Sequence, residues 1–394
     1  MNRPARIESL DLFRGAAVAL MVVVNNPGSW GHLYPPLAHA AWHGLTPTDL
    51  VFPFFLFAVG QALALALPGW LAAPASRFWR KWLARTTLIF ALGLALNAAP
   101  FVRWDAAGQL VLRDWDTLRW LGVLQRIALA WAGAALLLMA CRGRARVALA
   151  ATAALLLGYW GLCLALGDSA EPYSLEGFFG TRLDRALLGA GHLYQGEGVA
   201  FDPEGLASTV PAVAQVLLGW WVGTQWRAAP APRERMLARL LIAACALGAL
   251  AWLWQLVLPI NKKLWTPSYV LLSTALAIAG WACLAWVSDL RSAVPGPAGR
   301  ALRALLLPFG RNALGIFVLS GLLPRLQGLL RWPDGLDAAG APRWISPWAW
   351  AWREVFEPLA ADARLGSLLQ ALALLALYWA LAAWLDRRGW YWRV

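Results

Sequence analysis

Apolar runs of about 20 residues recur along the whole chain, and no other feature limits its fold so strongly. At a rise of 1.5 Å per residue, a helix of that length crosses the ~30 Å hydrocarbon core of a bilayer. Of the 394 residues, 60% are hydrophobic and only 14% are charged, which is far from the composition of soluble domains. The sequence therefore predicts an all-α, polytopic integral membrane protein, with residues 1–394 forming a single transmembrane domain.

The apolar runs predict ten transmembrane helices. We place them over residues 11–27, 49–68, 84–99, 119–140, 147–166, 209–226, 238–257, 267–287, 304–323 and 365–385. If the N-terminus is cytoplasmic, most lysine and arginine residues fall on inner loops and most acidic residues on outer loops. The positive-inside rule therefore predicts that both termini are cytoplasmic. We expect a multi-pass protein of a bacterial cytoplasmic (inner) membrane.

The net charge of +13 follows from this topology. The basic residues are spread over short inner loops, where attraction to anionic membrane lipid accounts for them. A nucleic-acid-binding protein would cluster them on a soluble face, so we exclude nucleic acid as a partner. The four cysteines have no C-x-x-C spacing, and neither a zinc pattern nor a P-loop occurs in the sequence. We expect no bound metal and no nucleotide hydrolysis.

The first outer loop, residues 25–48, holds three of the four histidines. A neutral imidazole takes up and returns a proton near neutral pH, and an amide can donate a hydrogen bond to an oxyanion. His39 and Asn25 are the candidates for these two tasks. Two other interpretations stay open: His39 beside Trp42 is an interfacial hydrogen-bonding residue, or His39-x3-His43 is a metal-binding pair, for which no third ligand is evident.

Four ionisable residues lie within or beside the predicted helices: Arg14, Asp49, Arg126 and Arg311. A charge at the centre of a membrane helix costs ~2.5 to 3.5 kcal/mol on insertion scales, so each needs a partner, water or a function. A structural interpretation exists for two of them, because Arg14 can pair with Asp11 and Arg311 can extend to the interface. Convergence of several on one cavity would instead indicate a binding site.

Several unusual motifs occur in order along the chain. They are SLDLFRG at 9–15, VNNPG at 24–28, HAAWHGLTPTDLVFPFFLF at 39–57, LGVLQRIAL at 121–129, FDPEGLAST at 201–209 and PINKKLWTPSYV at 259–270. These segments resemble the transmembrane acyltransferase family that includes heparan-α-glucosaminide N-acetyltransferase and its bacterial relatives. The resemblance extends over nearly the whole chain. By this resemblance the family's catalytic histidine falls on His39, and the asparagine at the end of its first helix falls on Asn25.

The resemblance implies an acetyltransferase that moves the acetyl group of cytosolic acetyl-CoA to the amine of a glucosamine-type sugar on the extracytoplasmic side. It also implies a homodimer. The loop between Asn25 and His39 is longer here than in the lysosomal enzyme, which leaves the acceptor more open than the type of reaction. His39 either deprotonates the acceptor amine in a ternary complex or is itself acetylated in a ping-pong cycle.

Further candidate residues follow from what the two substrates would need. The CoA phosphates need cations near the inner face, and the pantetheine arm needs a passage between helices. The candidate cations are Arg14, Arg311 and Arg126. An amino sugar needs polar groups for its hydroxyls and an aromatic surface for its ring. The candidate residues for this acceptor are Asp49, Trp42, Asn261 and Trp265.

Two other functions stay open. Intramembrane charges are equally expected of a transporter for amino sugars or N-acetylglucosamine, which would take up sugar without acetyl-CoA. The same chemistry with a hydroxyl acceptor would make the protein an O-acetyltransferase of a cell-envelope glycan. Mass spectrometry of the product would separate N-acetyl from O-acetyl transfer.

Overall fold

The computed structural model describes residues 7–105, 107–230, 232–290, 296–336, 340 and 342–392. Helices account for most of these residues, which confirms the predicted all-α fold class. The α-helices in these ranges are α1 (Glu8–Asn25), α2 (Val51–Leu71), α3 (Ala75–Ala98), α4 (Val123–Ala140), α5 (Ala145–Leu166), α6 (Phe179–Leu188), α7 (Leu206–Ala228), α8 (Glu234–Trp254), α9 (Pro267–Ala285), α10 (Pro297–Arg311), α11 (Ala313–Gln327), α12 (Pro347–Ala351) and α13 (Ala363–Arg387). Two antiparallel hairpins lie in loops, β1 (Val102–Trp104) with β2 (Leu110–Leu112) and β3 (Trp332–Leu336) with β4 (Pro342–Ile345).

Seven helical segments of the described residues are long and apolar enough to cross a membrane, which confirms a polytopic membrane protein. They are Pro47–Leu71, Val123–Ala140, Ala145–Leu166, Leu206–Ala228, Glu234–Trp254, Pro267–Leu290 and Ala363–Arg387. α10 and α11 together give an eighth candidate, bent by 76°. All ten predicted spans fall on helices, but α1 and α3 are not among these eight, because their N-terminal halves are charged. The charged residues are Glu8, Asp11 and Arg14 in α1, and Arg77, Arg80, Lys81 and Arg85 in α3.

α2 and α7 pack with their backbones in close contact. A Cβ atom added at Gly60 would overlap the carbonyl oxygen of Val216, and one added at Gly219 would overlap the carbonyl oxygen of Phe57. Small residues let membrane helices approach closely and gain van der Waals contact, which stabilises them where no hydrophobic driving force exists. The contact fixes the position of α2.

The N-terminal end of α2 is capped by the sequence that precedes it. Residues 46–49 read Thr-Pro-Thr-Asp, in which Thr46 is the N-cap of a turn of 3-10 helix, Pro47–Leu50, that leads into α2. The side chain of Thr46 accepts a hydrogen bond from the backbone N–H of Asp49, and the side chain of Asp49 accepts one from that of Thr46. Pro47 suits the first helical position, where its missing N–H is not needed. The capping hydrogen bonds therefore fix the position of Asp49, which is 1% exposed.

The predicted single helix over 304–323 is wrong, because the chain bends between α10 and α11. Pro308 lacks a backbone N–H, so the carbonyl oxygen of Ala304 loses its helical donor and instead accepts a hydrogen bond from Trp379 Nε1 at 3.1 Å. Gly310 allows α10 to touch α1, since a Cβ there would overlap the α1 backbone. Irregular backbone at membrane depth is tolerated where it is buried in protein or lines a cavity.

Candidate active site

His39 and Asp49 form a hydrogen-bonded pair where the first loop joins α2. The distance from His39 Nδ1 to Asp49 Oδ1 is 2.7 Å. The other carboxylate oxygen of Asp49 accepts hydrogen bonds from the backbone N–H groups of Ala40 at 3.1 Å and Thr46 at 3.0 Å. A carboxylate only accepts, so Nδ1 of His39 carries a proton, and in the neutral ring Nε2 has the lone pair. The Asp49 side chain is 2% exposed and the His39 side chain 45%, so a fixed anion orients an accessible base.

Lys262 is the third charged group of this cluster, and the sequence analysis did not single it out. Its Nζ lies 3.1 Å from His39 Nδ1, 3.4 Å from His39 Nε2 and 3.5 Å from Asp49 Oδ1. Burial lowers the pKa of Lys262, although the Asp49 carboxylate acts in the opposite direction. A signal was present in the sequence, because two consecutive lysines in a predicted outer loop depart from the positive-inside rule.

The loop that carries Lys262 also holds two predicted acceptor residues. Asn261 is fully buried, and its Oδ1 accepts the backbone N–H of Leu264 at 2.9 Å. Trp265 is 1% exposed and has a φ of 54°, a left-handed conformation that is uncommon for a bulky residue. Its ring packs edge-on against Phe52 and Tyr269. Both residues shape the loop in this conformation, and their contact with a sugar stays a prediction.

The other predicted acceptor residues have structural partners as well. Trp42 Nε1 donates a hydrogen bond to the carbonyl oxygen of Tyr173 at 2.8 Å, which ties the first loop to the loop after α5. Asp49 was predicted to bind acceptor hydroxyls, but its oxygens are occupied by the contacts described above. The hydroxyl of Tyr269 also donates to the backbone carbonyl of Asp49 at 2.6 Å, which fixes this segment to α9. These contacts place Asp49 where it orients His39, and its contact with an acceptor stays a prediction.

Asn25 ends α1, and its side chain is exposed. The next residue, Asn26, is buried and donates a hydrogen bond to the carbonyl oxygen of Val22 at 2.9 Å. In the described part of the chain, no hydrogen bond joins Asn25 to His39. The amide of Asn25 is accessible to a ligand, and its predicted interaction with an oxyanion stays a prediction.

A cavity of about 710 Å³ lies among α1, α2, α3, α4 and the α10–α11 bend. Three arginines line it: Arg14, Arg85 and Arg311. Arg14 donates to Asp11 at 2.5 Å and to the carbonyl oxygen of Gly310 at 3.0 Å, and Arg311 donates to Asp386 at 2.9 Å. The structure thus brings together two of the predicted cations, Arg14 and Arg311, and adds Arg85, which was not among them.

The cavity extends along α2 toward the His39 cluster. Its lining residues on α2 run from Phe55 to Leu65 at helical spacing. At 1.5 Å per residue this face is about 15 Å long. Asp49 precedes Phe55 by about two turns, which is a further ~9 Å along the helix. The remaining walls are mostly apolar, with residues such as Ile89, Leu124 and Phe317.

The structure does not bring Arg126 to this cavity. Arg126 is fully buried near the start of α4, where it donates to the hydroxyl of Ser208 and to the carbonyl oxygen of Gly205. Its guanidinium carbon lies 5.1 Å from the centre of the Trp265 ring. Through these contacts Arg126 connects α4 to α7 and to the Lys262 loop.

Fold and site together define a multi-pass helical membrane protein with a carboxylate–imidazole–lysine cluster beyond one end of an arginine-lined cavity. A family model described as "Heparan-alpha-glucosaminide N-acetyltransferase, catalytic" matches residues 6–175, a range that includes Asn25, His39, Asp49 and Arg85. The Homo sapiens heparan-alpha-glucosaminide N-acetyltransferase is 29% identical over 322 residues, which are 68% of this chain and 46% of the relative. The Mus musculus protein of that name is 28% identical over 316 residues, or 67% and 46%. The predicted resemblance is confirmed, and the chain spans about half the length of these relatives.

Proposed function

We propose that this protein is a transmembrane N-acetyltransferase that transfers the acetyl group of cytosolic acetyl-CoA to the amine of a glucosamine-type sugar on the extracytoplasmic side. One observation carries the proposal: the turn that leads into α2 bears Asp49, the partner of His39, and α2 itself forms a wall of the cavity that three arginines line. The similarity to heparan-alpha-glucosaminide N-acetyltransferases supports the same reaction type.

The cavity has the chemistry that acetyl-CoA needs. Arg14, Arg85 and Arg311 present guanidinium groups, which bind phosphates through charge-assisted hydrogen bonds. The apolar walls toward Phe55 suit the pantetheine arm, which must cross the membrane interior to present its thioester. Phosphates do not enter hydrocarbon without such compensation. The nucleotide end is therefore proposed to stay at the arginines while the acetyl end approaches His39.

His39 is suited to the chemical step. Because Asp49 holds Nδ1–H, Nε2 of the neutral ring takes the proton from the acceptor amine as the amine nitrogen attacks the thioester carbon, and Lys262 Nζ lies beside this atom at 3.4 Å. The new C–N bond forms and the C–S bond breaks, and the proton on Nε2 then passes to the CoA sulfur. In the alternative ping-pong cycle Nε2 itself attacks the carbonyl carbon and the C–S bond breaks, so that CoA leaves as its thiol. The acceptor amine then attacks the acetyl-imidazole, and the C–N bond to Nε2 breaks as the acetyl group passes to the amine. Asn25 is proposed to donate a hydrogen bond to the oxyanion in either case.

The resemblance also supports proposals about the domain organisation, the oligomeric state, the membrane and the acceptor. The chain is proposed to act as one domain, as a homodimer, in a bacterial cytoplasmic membrane. The acceptor is proposed to be an amino sugar that contacts Trp42 and the loop of Asn261 and Trp265.

A proteoliposome assay tests the proposal. Radiolabelled acetyl-CoA is supplied on one side and glucosamine on the other, and the product is identified by mass spectrometry. We expect N-acetylglucosamine to form with the wild-type protein and His39→Ala to lower its rate at least about a hundredfold, because the general base is lost. His32→Ala is the matched control, since His32 is an exposed histidine of the same loop that stacks on Trp352.

Three outcomes would contradict the proposal. Undiminished transfer by folded His39→Ala protein would remove the role of His39. Uptake of labelled sugar without acetyl-CoA would indicate a transporter. An ester product on a sugar hydroxyl would indicate O-acetyl transfer. Retained binding of acetyl-CoA by His39→Ala shows that the variant is folded.

A further inference from the structure

Lys262 lies against the imidazole of His39 from an element distant in sequence. The Nζ atom is within 3.1 to 3.4 Å of both ring nitrogens of His39, across a sequence separation of 223 residues. Asp49 contacts the same ring at 2.7 Å and lies 3.5 Å from Lys262 Nζ. The imidazole thus has a negative and a positive neighbour at comparable distances.

Other charged groups near this cluster face elsewhere. Lys263 Nζ donates to Glu197 at 2.6 Å and to the carbonyl oxygen of Ala41 at 2.9 Å. His43, on the same loop as His39, lies 3.3 Å from the amide nitrogen of Asn261. Glu204 acts on Lys262 through space and is itself held by Arg119 at 2.5 Å. Asp49 and Lys262 are therefore the charged groups that contact the His39 ring among the described residues.

The two neighbours have opposite effects on the imidazole. A carboxylate hydrogen-bonded to a histidine favours the imidazolium, which can no longer accept a proton. A cation within 3.4 Å disfavours a second positive charge on the ring. With Asp49 alone, the ring would be correctly oriented, but the carboxylate would favour its protonated form, which is not a base. With both, the orientation is kept and the effect of the carboxylate on protonation is opposed.

We infer that Lys262 is a positioning residue whose ammonium group keeps the imidazole of His39 neutral, so that Nε2 remains a base while Asp49 holds the ring. The inference rests on the proposed function for its catalytic meaning, but the charge balance itself is a property of the three side chains. The inference assigns a function to Lys262, the first lysine of the sequence PINKKLW, and gives Lys263 no effect on the ring of His39.

The test measures the titration of His39 in the full-length protein. Histidine labelled with ¹³C at Cε1 alone gives one signal for each of the four histidines in detergent micelles, and the signal lost in His39→Gln identifies His39. We expect Lys262→Met to raise the titration midpoint of His39 by about one pH unit or more, since the remaining carboxylate favours the charged ring. Lys262→Gln is a second neutral variant that serves if Lys262→Met does not fold.

Lys263→Met is the matched control, because it removes a neighbouring lysine that contacts Glu197 rather than His39. It leaves the midpoint unchanged, and Lys262→Arg keeps it near the wild-type value. An unchanged midpoint in both neutral variants, or an equal shift in Lys263→Met, would overturn the inference.

The pH dependence of acetyl transfer separates this inference from the proposed function. We expect the acid limb of kcat/KM to move to higher pH in Lys262→Met by the same amount as the titration midpoint, since only neutral His39 acts as a base. If the midpoint moves and the acid limb does not, the charge balance stands and the role of His39 as a base is refuted.

Discussion

The substitution Asp49→Asn separates the orientation of His39 from the packing of the loop. Asn has the same shape as Asp, so the geometry around the start of α2 is retained. The oxygen of the new amide is fixed by two backbone donors, the N–H groups of Ala40 and Thr46. The amide nitrogen must then face His39 Nδ1, at the position that the carboxylate oxygen occupied at 2.7 Å.

This exchange reverses the hydrogen bond to the imidazole. An amide nitrogen donates, so Nδ1 of His39 must become the acceptor and the proton moves to Nε2. Loss of the charge-assisted hydrogen bond alone amounts to ~1.5 to 3 kcal/mol, or about 10- to 150-fold in rate. A wrong tautomer adds to this, and in serine proteases the equivalent Asp to Asn change lowers kcat about 10⁴-fold. We expect kcat/KM for acetyl transfer to fall between about 100-fold and 10⁴-fold.

The assay is acetyl transfer by purified Asp49→Asn protein, with the binding of acetyl-CoA and the melting temperature as checks on folding. Asp168→Asn is the matched control, because Asp168 also accepts two backbone hydrogen bonds in an outer loop but contacts no histidine. A folded Asp49→Asn protein with kcat/KM close to the wild-type value would refute the reasoning that the carboxylate fixes the tautomer of His39.

Two further variants test the cavity and the outer loops. Arg85→Gln should raise KM for acetyl-CoA at least about tenfold with a smaller effect on kcat, because a charged hydrogen bond to phosphate is lost. Arg80→Gln is the control, since Arg80 lies on the exposed face of α3 and its loss should leave KM unchanged. Equal KM values for the two variants would exclude Arg85 from the site. Burial raises the pKa of Asp184 to about 6, so the folded state binds its proton more tightly than the unfolded chain, and stability falls as pH rises from about 4 to 6. Asp184→Asn should remove this fall in melting temperature, and parallel curves for the two proteins would contradict it.

Much of the fold could be predicted because the length of an apolar run is a local property. Nine of the ten predicted spans each fall on one helix for this reason, and the span 304–323 falls on two. The bend between α10 and α11 could not be predicted from Pro308 alone, since prolines also occur inside α2 and α7. Two contacts of α10 with residues distant in sequence accompany the bend: Trp379 donates to the carbonyl oxygen of Ala304, and Gly310 packs against α1.

The candidate site was predicted in part: residues close together in sequence could be connected, and residues far apart could not. His39 was found from its residue type and the resemblance, and the Thr-x-x-Asp capping box in front of an apolar run could have shown that Asp49 is held beside it. Lys262 could not be connected with His39 by spacing, because 223 residues separate them. Arg85 was not predicted as part of the cavity for another reason: the positive-inside rule alone accounts for an arginine near the inner end of a helix.

The glycine contact between α2 and α7 has a consequence for how material passes from one compartment to the other. Carriers commonly work by rocking one half of the protein against the other, and helices whose backbones touch at Gly60 and Gly219 resist sliding or tilting past each other. We therefore expect α2 and α7 to move together as one unit. Under the proposed function only the acetyl group, two carbons and an oxygen, is delivered across the membrane, and CoA leaves on the cytosolic side from which it entered.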